Sequence, residues 1–237
     1  MIDRDDQRLS ELIHEMRNQL SVAKANLEAF IDGKLPPTAQ RLESVVQTLH
    51  HLEELIKDLR VLHPALSEKR AEHALTLSEI NVCDLLQREF ASIEAVALEK
   101  QVSLSVFRCP HPAAACQRFL GDPTRIGQIV KNVLINAVRF TPQGGSVSVD
   151  CRRRADELQV TISDTGPGVP ETEAQRVFEL GFRGAAARAH AGSGLGLSVV
   201  KQLVEAQGGS ISLDETAPSG ARFVVRLPGE LPYPSSP

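Results

Sequence analysis

Near the C-terminus three glycines stand at alternate positions, Gly192-Ser193-Gly194-Leu195-Gly196-Leu197. They run straight into the apolar pattern Ser198-Val199-Val200-Lys201-Gln202-Leu203-Val204. Glycines let a backbone turn tightly and approach a ligand closely. A helix starting behind such a turn points unpaired N–H groups and a positive dipole end at whatever lies there. The chemistry this favours is phosphate binding, although a glycine turn before a helix also occurs as a plain loop. No Gly-Lys-Ser/Thr follows, so it is not a Walker A loop. Its place near the end of the chain leaves no room for a dinucleotide-sized domain, which makes it a poor Rossmann opening.

Upstream, Asp122-Pro123 reads as a helix start, with aspartate as N-cap and proline in the first turn. Ile126, Ile129, Val130, Val133, Leu134 and Ala137 continue it. Gln128, Asn132 and Asn136 recur every four residues beside that apolar face, with Arg139 three further on. Asparagine is a mediocre helix former. Its amide oxygens suit a hard cation such as Mg2+, or the stripe is simply a solvated face. Two alternating runs follow, Ser146 to Asp150 and Glu157 to Ile162, with a hairpin expected across 152–156. Period two carries Leu158, Val160, Ile162 and Asp164 to one face. Asp164 therefore ends an apolar row where a carboxylate needs a donor. An adenine amino group would suit it; alternatively the side chain caps its own turn, Gly166-Pro167-Gly168.

The rest of this region reads as a short strand over 79–82 and a helix beginning near Asp84 with Leu85, Leu86, Phe90, Ile93 and Val96 or Ala97 on one side. A strand with Val102, Leu104 and Val106 inward follows, then an irregular loop over 110–117. Glu171 to Phe178 is expected to be a short helix. Residues 179–191, rich in Gly, Ala and Arg and without a clear period, read as a mobile lid from which Arg183 and Arg188 can reach phosphates, or, for Arg188, as a solvated loop with an idle arginine. Gly208-Gly209 ends the last helix, and a hairpin over 210–213 and 221–227 closes the domain.

The N-terminal region has a different period. Ile13, Met16, Leu20, Ala23, Leu27 and Phe30 alternate spacings of three and four, a heptad seam on a helix over 7–33. Gly33 and Leu35-Pro36-Pro37 make the turn. Thr38 caps a second helix to about Leu62, with Leu42, Val45 or Val46, Leu49, Leu52, Ile56 and Leu59 in its seam. One hairpin has little core of its own; two would bury both seams as a four-helix bundle. A homodimer through residues 7–63 is therefore predicted. His14 flanks the seam and should reach solvent. Glu15 beside it can take its proton, and Asn18, four residues on, shares its face. Taken alone, His14 is equally readable as one of seven histidines on charged surfaces. His50 and His51 lack comparable neighbours and read as rim residues, as do His63, His73, His111 and His190.

Composition excludes several classes. Net charge is −4 and only 4% of the 237 residues are aromatic, so neither a basic nor an aromatic nucleic-acid surface is expected. No run approaches a membrane span, and the charged start Met1 to Asp6 is not expected to be a signal peptide. Cys83, Cys109, Cys116 and Cys151 form no C-x-x-C pair, so a zinc or redox motif is not indicated and reduced thiols in the cytoplasm are expected.

The order of these motifs resembles the core of a bacterial sensor histidine kinase over residues 7–228. His14-Glu15-Met16-Arg17-Asn18 is similar to the H box. Asn132 through Phe140 resembles the N box, and Asp164-Thr165-Gly166-Pro167-Gly168 the G1 box. Val177 to Leu180 with Phe182-Arg183 resembles the F box, and Gly192 to Leu197 the G2 box. The resemblance implies an α+β chain. A dimeric antiparallel helical hairpin (1–66) and a linker (67–78) would lead to a two-layer α/β sandwich that binds ATP (79–228), of the kind shared with gyrase, Hsp90 and MutL. Residues 229–237 would be a disordered tail. By that resemblance Asp164 holds adenine and Asn132 and Asn136 lie by Mg2+. Arg139, Phe140, Gly166, Gly168, Arg183, Gly192, Gly194, Leu195, Gly196 and Leu197 complete the nucleotide site. His14 attacks the γ-phosphate with Glu15 as neighbouring base and passes the phosphoryl group to an aspartate of a response regulator. Asn18 matches the position that serves dephosphorylation of the regulator. The segment 63–78 would be the hinge between the two parts.

Two departures from the family pattern stand out. Leu180-Gly181 is less aromatic than a usual F box, and no sensor segment precedes the H box. Input is therefore expected from a longer chain or from a separate sensor or activator protein. Three rival readings remain: a hydrolytic ATPase, a serine kinase of the anti-sigma-factor type, and a non-catalytic phosphotransfer or scaffold protein. The first usually has a glutamate base where this chain has Asn132, an amide that cannot take a proton. The second lacks the histidine-bearing hairpin. Against the third, Asn136, Asp164, Gly166, Gly168, Gly194 and Gly196 all stand in place.

Overall fold

The structure is a computed structural model that describes residues 4–62, 75–108, 119–154, 157–186, 193–214 and 219–229. Most of the expected 63–78 hinge, the 110–117 loop, Arg188, Gly192, the hairpin tip at 155–156 and nearly all of the tail lie outside them. So do His63, His73, His111 and His190. The chain divides into two compact units, Met1–Glu68 and Lys69–Pro237.

The first unit is a helical hairpin of α1 (Arg4–Ile31) and α2 (Ala39–Leu62). Gly33 turns the chain with φ +68°, a left-handed conformation that suits glycine after a helix. The N–H groups of Lys34 and Leu35 close back on the Ala29 carbonyl at 2.9 and 3.0 Å. Thr38 Oγ1 accepts the Arg41 N–H at 3.4 Å, capping α2. Two apolar stripes share α2. Val45, Leu52, Leu55 and Leu59 are buried, whereas Leu42, Val46, Leu49 and Ile56 are exposed. On α1 Ala23 is buried, while Ile13, Leu20 and Leu27 stay exposed, Leu20 at 53%. The single seam read from spacing thus resolves into one stripe that closes the hairpin and a second left uncovered. Leu55, outside the seam as read, belongs to the buried stripe.

The second unit is a two-layer sandwich. Its elements are β1 (Ser78–Ile80), α3 (Val82–Ser92), α4 (Glu94–Glu99), β2 (Ser103–Arg108), β3 (Phe119–Gly121), α5 (Pro123–Phe140), β4 (Ser146–Arg154), β5 (Glu157–Asp164), α6 (Gly196–Glu205), β6 (Ser210–Leu213) and β7 (Arg222–Pro228). Five strands form one sheet in the order β2-β4-β5-β7-β6; β2 and β4 are parallel and the other pairs antiparallel. Alternation sends Val147, Val149, Cys151, Leu158, Val160, Ile162, Phe223, Val225 and Leu227 inward, and in β7 the intervening Val224 is buried as well. Helices α5 and α6 pack over the sheet and against each other, with α3 beside α5.

Local chemistry explains the departures from expectation. The helix expected near Asp84 starts earlier because Asn81 is its N-cap, accepting from Cys83 and Asp84 N–H. It then breaks at Ile93 (φ −104°, ψ −1°) into α3 and α4. Strand β3, three residues long and without a readable period, was not expected; it pairs antiparallel with β1. Residues 171–178 form turns and a single 3-10 turn, Arg176–Phe178, in place of a short α-helix. Their N–H groups mostly reach back three residues, as from Glu173 to Pro170 and Arg176 to Glu173. So short a segment gains too few hydrogen bonds to offset α-helix nucleation.

Asp122 joins Thr76 to α5. Its Oδ1 accepts Thr124 and Arg125 N–H, both at 3.0 Å, and its Oδ2 accepts Thr76 N–H at 2.9 Å. Asp122→Ala is expected to cost about 2 kcal/mol, since both a cap and a buried tie are lost. Denaturant unfolding of the two proteins measures this, and a loss below about 0.5 kcal/mol would contradict it. Among the described residues no helix is long and apolar enough to cross a membrane.

Candidate functional site

Asp164 ends the inward row of β5 and is buried, with 6% exposure. Its Oδ1 accepts the N–H of Gly166 at 2.8 Å and of Ala221 at 3.2 Å. Oδ2 accepts no hydrogen bond among the described residues. Burial raises the Asp164 pKa above the ordinary carboxylate value, and the Gly166 and Ala221 N–H groups pull it back in part. One oxygen of Asp164 thus caps the turn, and the other accepts no hydrogen bond from the described residues. Gly166 has no room for a side chain: a Cβ there would lie 2.8 Å from the Phe140 carbonyl oxygen and 2.8 Å from Asp164 Oδ1. That contact brings the end of α5, with Phe140, against the G1 turn.

The polar stripe of α5 meets the glycine turn. Asn132 Nδ2 donates to the Gly196 carbonyl at 3.5 Å. A Cβ on Gly196 would lie 3.5 Å from Asn136 Nδ2 and meet nothing else within 4 Å, so space is open there. The amides of Asn132 and Asn136 therefore adjoin the first turn of α6, which begins at Gly196, two residues before the expected start. Among the described residues no side chain caps that helix at Leu195, which leaves its leading N–H groups available to a ligand. Leu195 itself is fully buried, so within the G2 segment its side chain serves the core and only its backbone can meet a ligand. Leu197 is half-buried. Gly194, at φ +73°, sits where a Cβ would come 2.8 Å from the Phe182 carbonyl oxygen and 3.1 Å from Arg183 Cγ, so the glycine turn packs on Phe182 and Arg183.

Two cations converge here. Arg139 has its pKa lowered, first by burial and then by the charge of Arg183. Arg139 makes no ion pair among the described residues. A half-buried guanidinium that also feels a second positive charge favours a nearby anion. Lys100 Nζ donates to the carbonyls of Val138 and Arg139 at 3.1 and 2.6 Å, holding the end of α5 that carries Arg139. The segment carrying Arg183 is also tied down. Glu173 Oε1 accepts the Ala185 N–H at 3.1 Å, Arg176 lies 4.5 Å over the Phe182 ring, and Phe178 meets Phe223 edge-on at 6.2 Å.

The second unit thus brings together Asn132, Asn136, Arg139 and Phe140 with Asp164, Gly166 and Gly168, and Arg183 with Gly194, Leu195, Gly196 and Leu197. His14, Glu15 and Asn18 lie on α1 in the first unit, with the His14 and Asn18 side chains exposed. Sequence reasoning overlooked Gly220, Ala221, Lys100 and Glu173. Gly220, one residue before the alternating run, was the only one of these with a readable signal. Among the described residues no cluster of three or more His, Cys, Asp or Glu could hold a metal. The amide and carbonyl oxygens around Asn132, Asn136 and Gly196 are the donors left for a hard cation.

Residues 121–231 match the family model described as histidine kinase-, DNA gyrase B- and HSP90-like ATPase. A solved mycobacterial sensor histidine kinase, MprB, is 30% identical, with this chain covering all of that structure at a TM-score of 0.54 and 65% of the chain aligned. The chain belongs to the sensor histidine kinase family. The signal transduction histidine-protein kinase/phosphatase MprB of Mycolicibacterium smegmatis is 30% identical over 99% of this chain and 48% of its own length. The histidine-protein kinase BaeS of Escherichia coli is 30% identical over 94% of this chain and 46% of its own. The chain thus spans about half the length of these curated relatives. The solved histidine kinase AdeS of Acinetobacter baumannii shares the fold across 92% of this chain and 98% of its own, at TM-score 0.71 and 20% identity.

Proposed function

We propose that this chain is the catalytic core of an ATP-dependent protein histidine kinase that phosphorylates His14. The observation that carries this reading is the convergence, in one unit, of the asparagine stripe, the Asp164 carboxylate, an arginine pair and a glycine turn opening a helix. Asp164 Oδ2 would take the adenine amino group. Arg139, Arg183 and the leading N–H groups of α6 would take phosphate oxygens. Mg2+, held by Asn132 and Asn136, would neutralise charge on the triphosphate. No carboxylate stands at the Asn132 position to activate water, so the γ-phosphoryl group is kept for a separate nucleophile. That nucleophile is the His14 imidazole, with Glu15 to accept its proton. Transfer of this kind rests on positioning and charge stabilisation.

From phosphohistidine the group passes to an aspartate of a response regulator. Histidine kinase ThkA, solved in complex with the response regulator TrrA, shares this fold at 19% identity and TM-score 0.69. Asn18, one helical turn from His14, is the proposed site for the reverse, dephosphorylating reaction. The segment 63–78 is the proposed hinge and the cytoplasm the proposed location. A separate sensor or activator protein is a further proposed partner.

Incubation with γ-labelled ATP and Mg2+ tests the reading. Label that survives base and is lost in acid marks a phosphohistidine; rapid ATP turnover without labelled protein would point to an ATPase instead. The uncovered stripes of α1 and α2 support a homodimer. Light scattering at micromolar concentration is expected to give twice the chain mass, and Leu49→Glu to shift it toward one chain.

A further inference from the structure

We propose that Gly220 and Ala221 are positioning residues for base recognition, because the turn before β7 clamps Asp164 in one orientation. This rests on the reading of Asp164 as the adenine acceptor. Ala221 holds Asp164 at two points. Its carbonyl accepts the Asp164 N–H at 2.9 Å, and its own N–H donates to Asp164 Oδ1 at 3.2 Å. With the Gly166 N–H on the same oxygen at 2.8 Å, Oδ1 has two backbone donors and Oδ2 has none among the described residues. A carboxylate with one oxygen doubly held cannot exchange its oxygens without giving up both bonds, so the acceptor left for a ligand is always Oδ2.

Gly220 makes the clamp possible. It sits at φ +69°, and a Cβ there would overlap the Asp164 carbonyl oxygen and carbon. Its own carbonyl oxygen lies 2.9 Å from where a Cβ on Gly168 would be, so the two glycine turns close on each other around Asp164. Any side chain at 220 must push β7's first residues away from β5. The Ala221 N–H would then leave Oδ1, and the carboxylate would be free to rotate.

The consequence is a change in selectivity, not only in affinity. Inosine triphosphate carries a carbonyl oxygen where ATP carries the amino group, so a clamped Oδ2 accepts from one and repels the other. Affinities of the full chain for ATP and inosine triphosphate, each with Mg2+, are compared in wild type, in Gly220→Ala, and in a protein with an ester in place of the amide at Ala221. The ester removes the N–H without adding atoms, and it carries the test if Gly220→Ala fails to fold. Wild type is expected to prefer ATP by about tenfold or more, a hydrogen bond to a charged group. Both variants are expected to bring the two affinities within about threefold of each other. Parallel weakening of both nucleotides with the ratio intact, or no change in either, would overturn the positioning role while leaving adenine recognition by Asp164 standing. A wild type with no preference would overturn that recognition and this inference together.

Discussion

His14→Gln is expected to reduce phosphoryl incorporation to background, a loss of at least about a thousandfold set by the absence of any comparable nucleophile. Glutamine is polar, similar in reach and a good helix former, so α1 and its stripes should persist. His14 is exposed and no hydrogen bond or ion pair involves its side chain among the described residues, so its replacement removes no structural contact. The residues proposed for nucleotide binding belong to the other unit, so affinity for Mg2+-ATP should be unchanged. The decisive pairing is therefore labelled wild type and unlabelled variant at equal nucleotide affinity. Label retained in the variant would move the acceptor elsewhere, with exposed His50 and half-buried His51 of α2 the next to replace.

Asp164→Asn should invert nucleotide preference without unfolding the protein. The Gly166 and Ala221 N–H groups both donate to Oδ1, so an amide here will turn its oxygen toward them. Its NH2 then stands where Oδ2 stood, a donor facing the adenine amino donor. ATP affinity is expected to fall by about a hundredfold, the cost of a charge-assisted hydrogen bond replaced by an unpaired donor. Inosine triphosphate, with an acceptor at that position, should bind the variant better than ATP.

The raised Asp164 pKa sets the accompanying pH behaviour. The folded state holds the Asp164 proton more tightly than the unfolded chain does. The stability this group contributes is thus present below the ordinary carboxylate pKa and is lost as pH rises through the folded value. At neutral pH the buried charge is a net liability, so Asp164→Asn should melt no lower than wild type. Nucleotide binding runs the other way. ATP affinity of wild type should decline as pH falls into the raised range and the carboxylate takes up its proton, while the variant shows no such decline. Thermal melting and ATP titrations across acidic to neutral pH check both, and a strongly lowered melting temperature in the variant would show the carboxylate to be structural.

Much of the site is readable because each motif carries its own local physics. Asp122 before Pro123 marks the start of α5, and period two delivers Asp164 inward at the end of β5. Gly33 and Thr38 mark the hairpin turn. Other elements resisted for physical reasons. Strand β3 is too short to show a period and exists because β1 lies beside it. Residues 171–178 have helical composition but are drawn into a 3-10 turn, with Glu173 spent on the Ala185 N–H. Two interleaved stripes on α2 cannot be separated by spacing, since both repeat every three or four residues.

By itself the sequence determined the class of chemistry. Asparagines on a helical stripe, an inward aspartate before a glycine turn, glycines opening a helix and an exposed histidine between seam positions are properties of short segments, and helical or strand period assigns their faces. Tertiary structure alone decided how those of the second unit meet. Ala221, 57 residues from Asp164 in the chain, supplies a donor that selects which carboxylate oxygen remains. Arg183 lies near enough to Arg139 to lower its pKa, and Gly196 abuts Asn132 across 64 residues. Contacts over such separations depend on how strands order in the sheet and how α5 packs on α6, which no local pattern encodes.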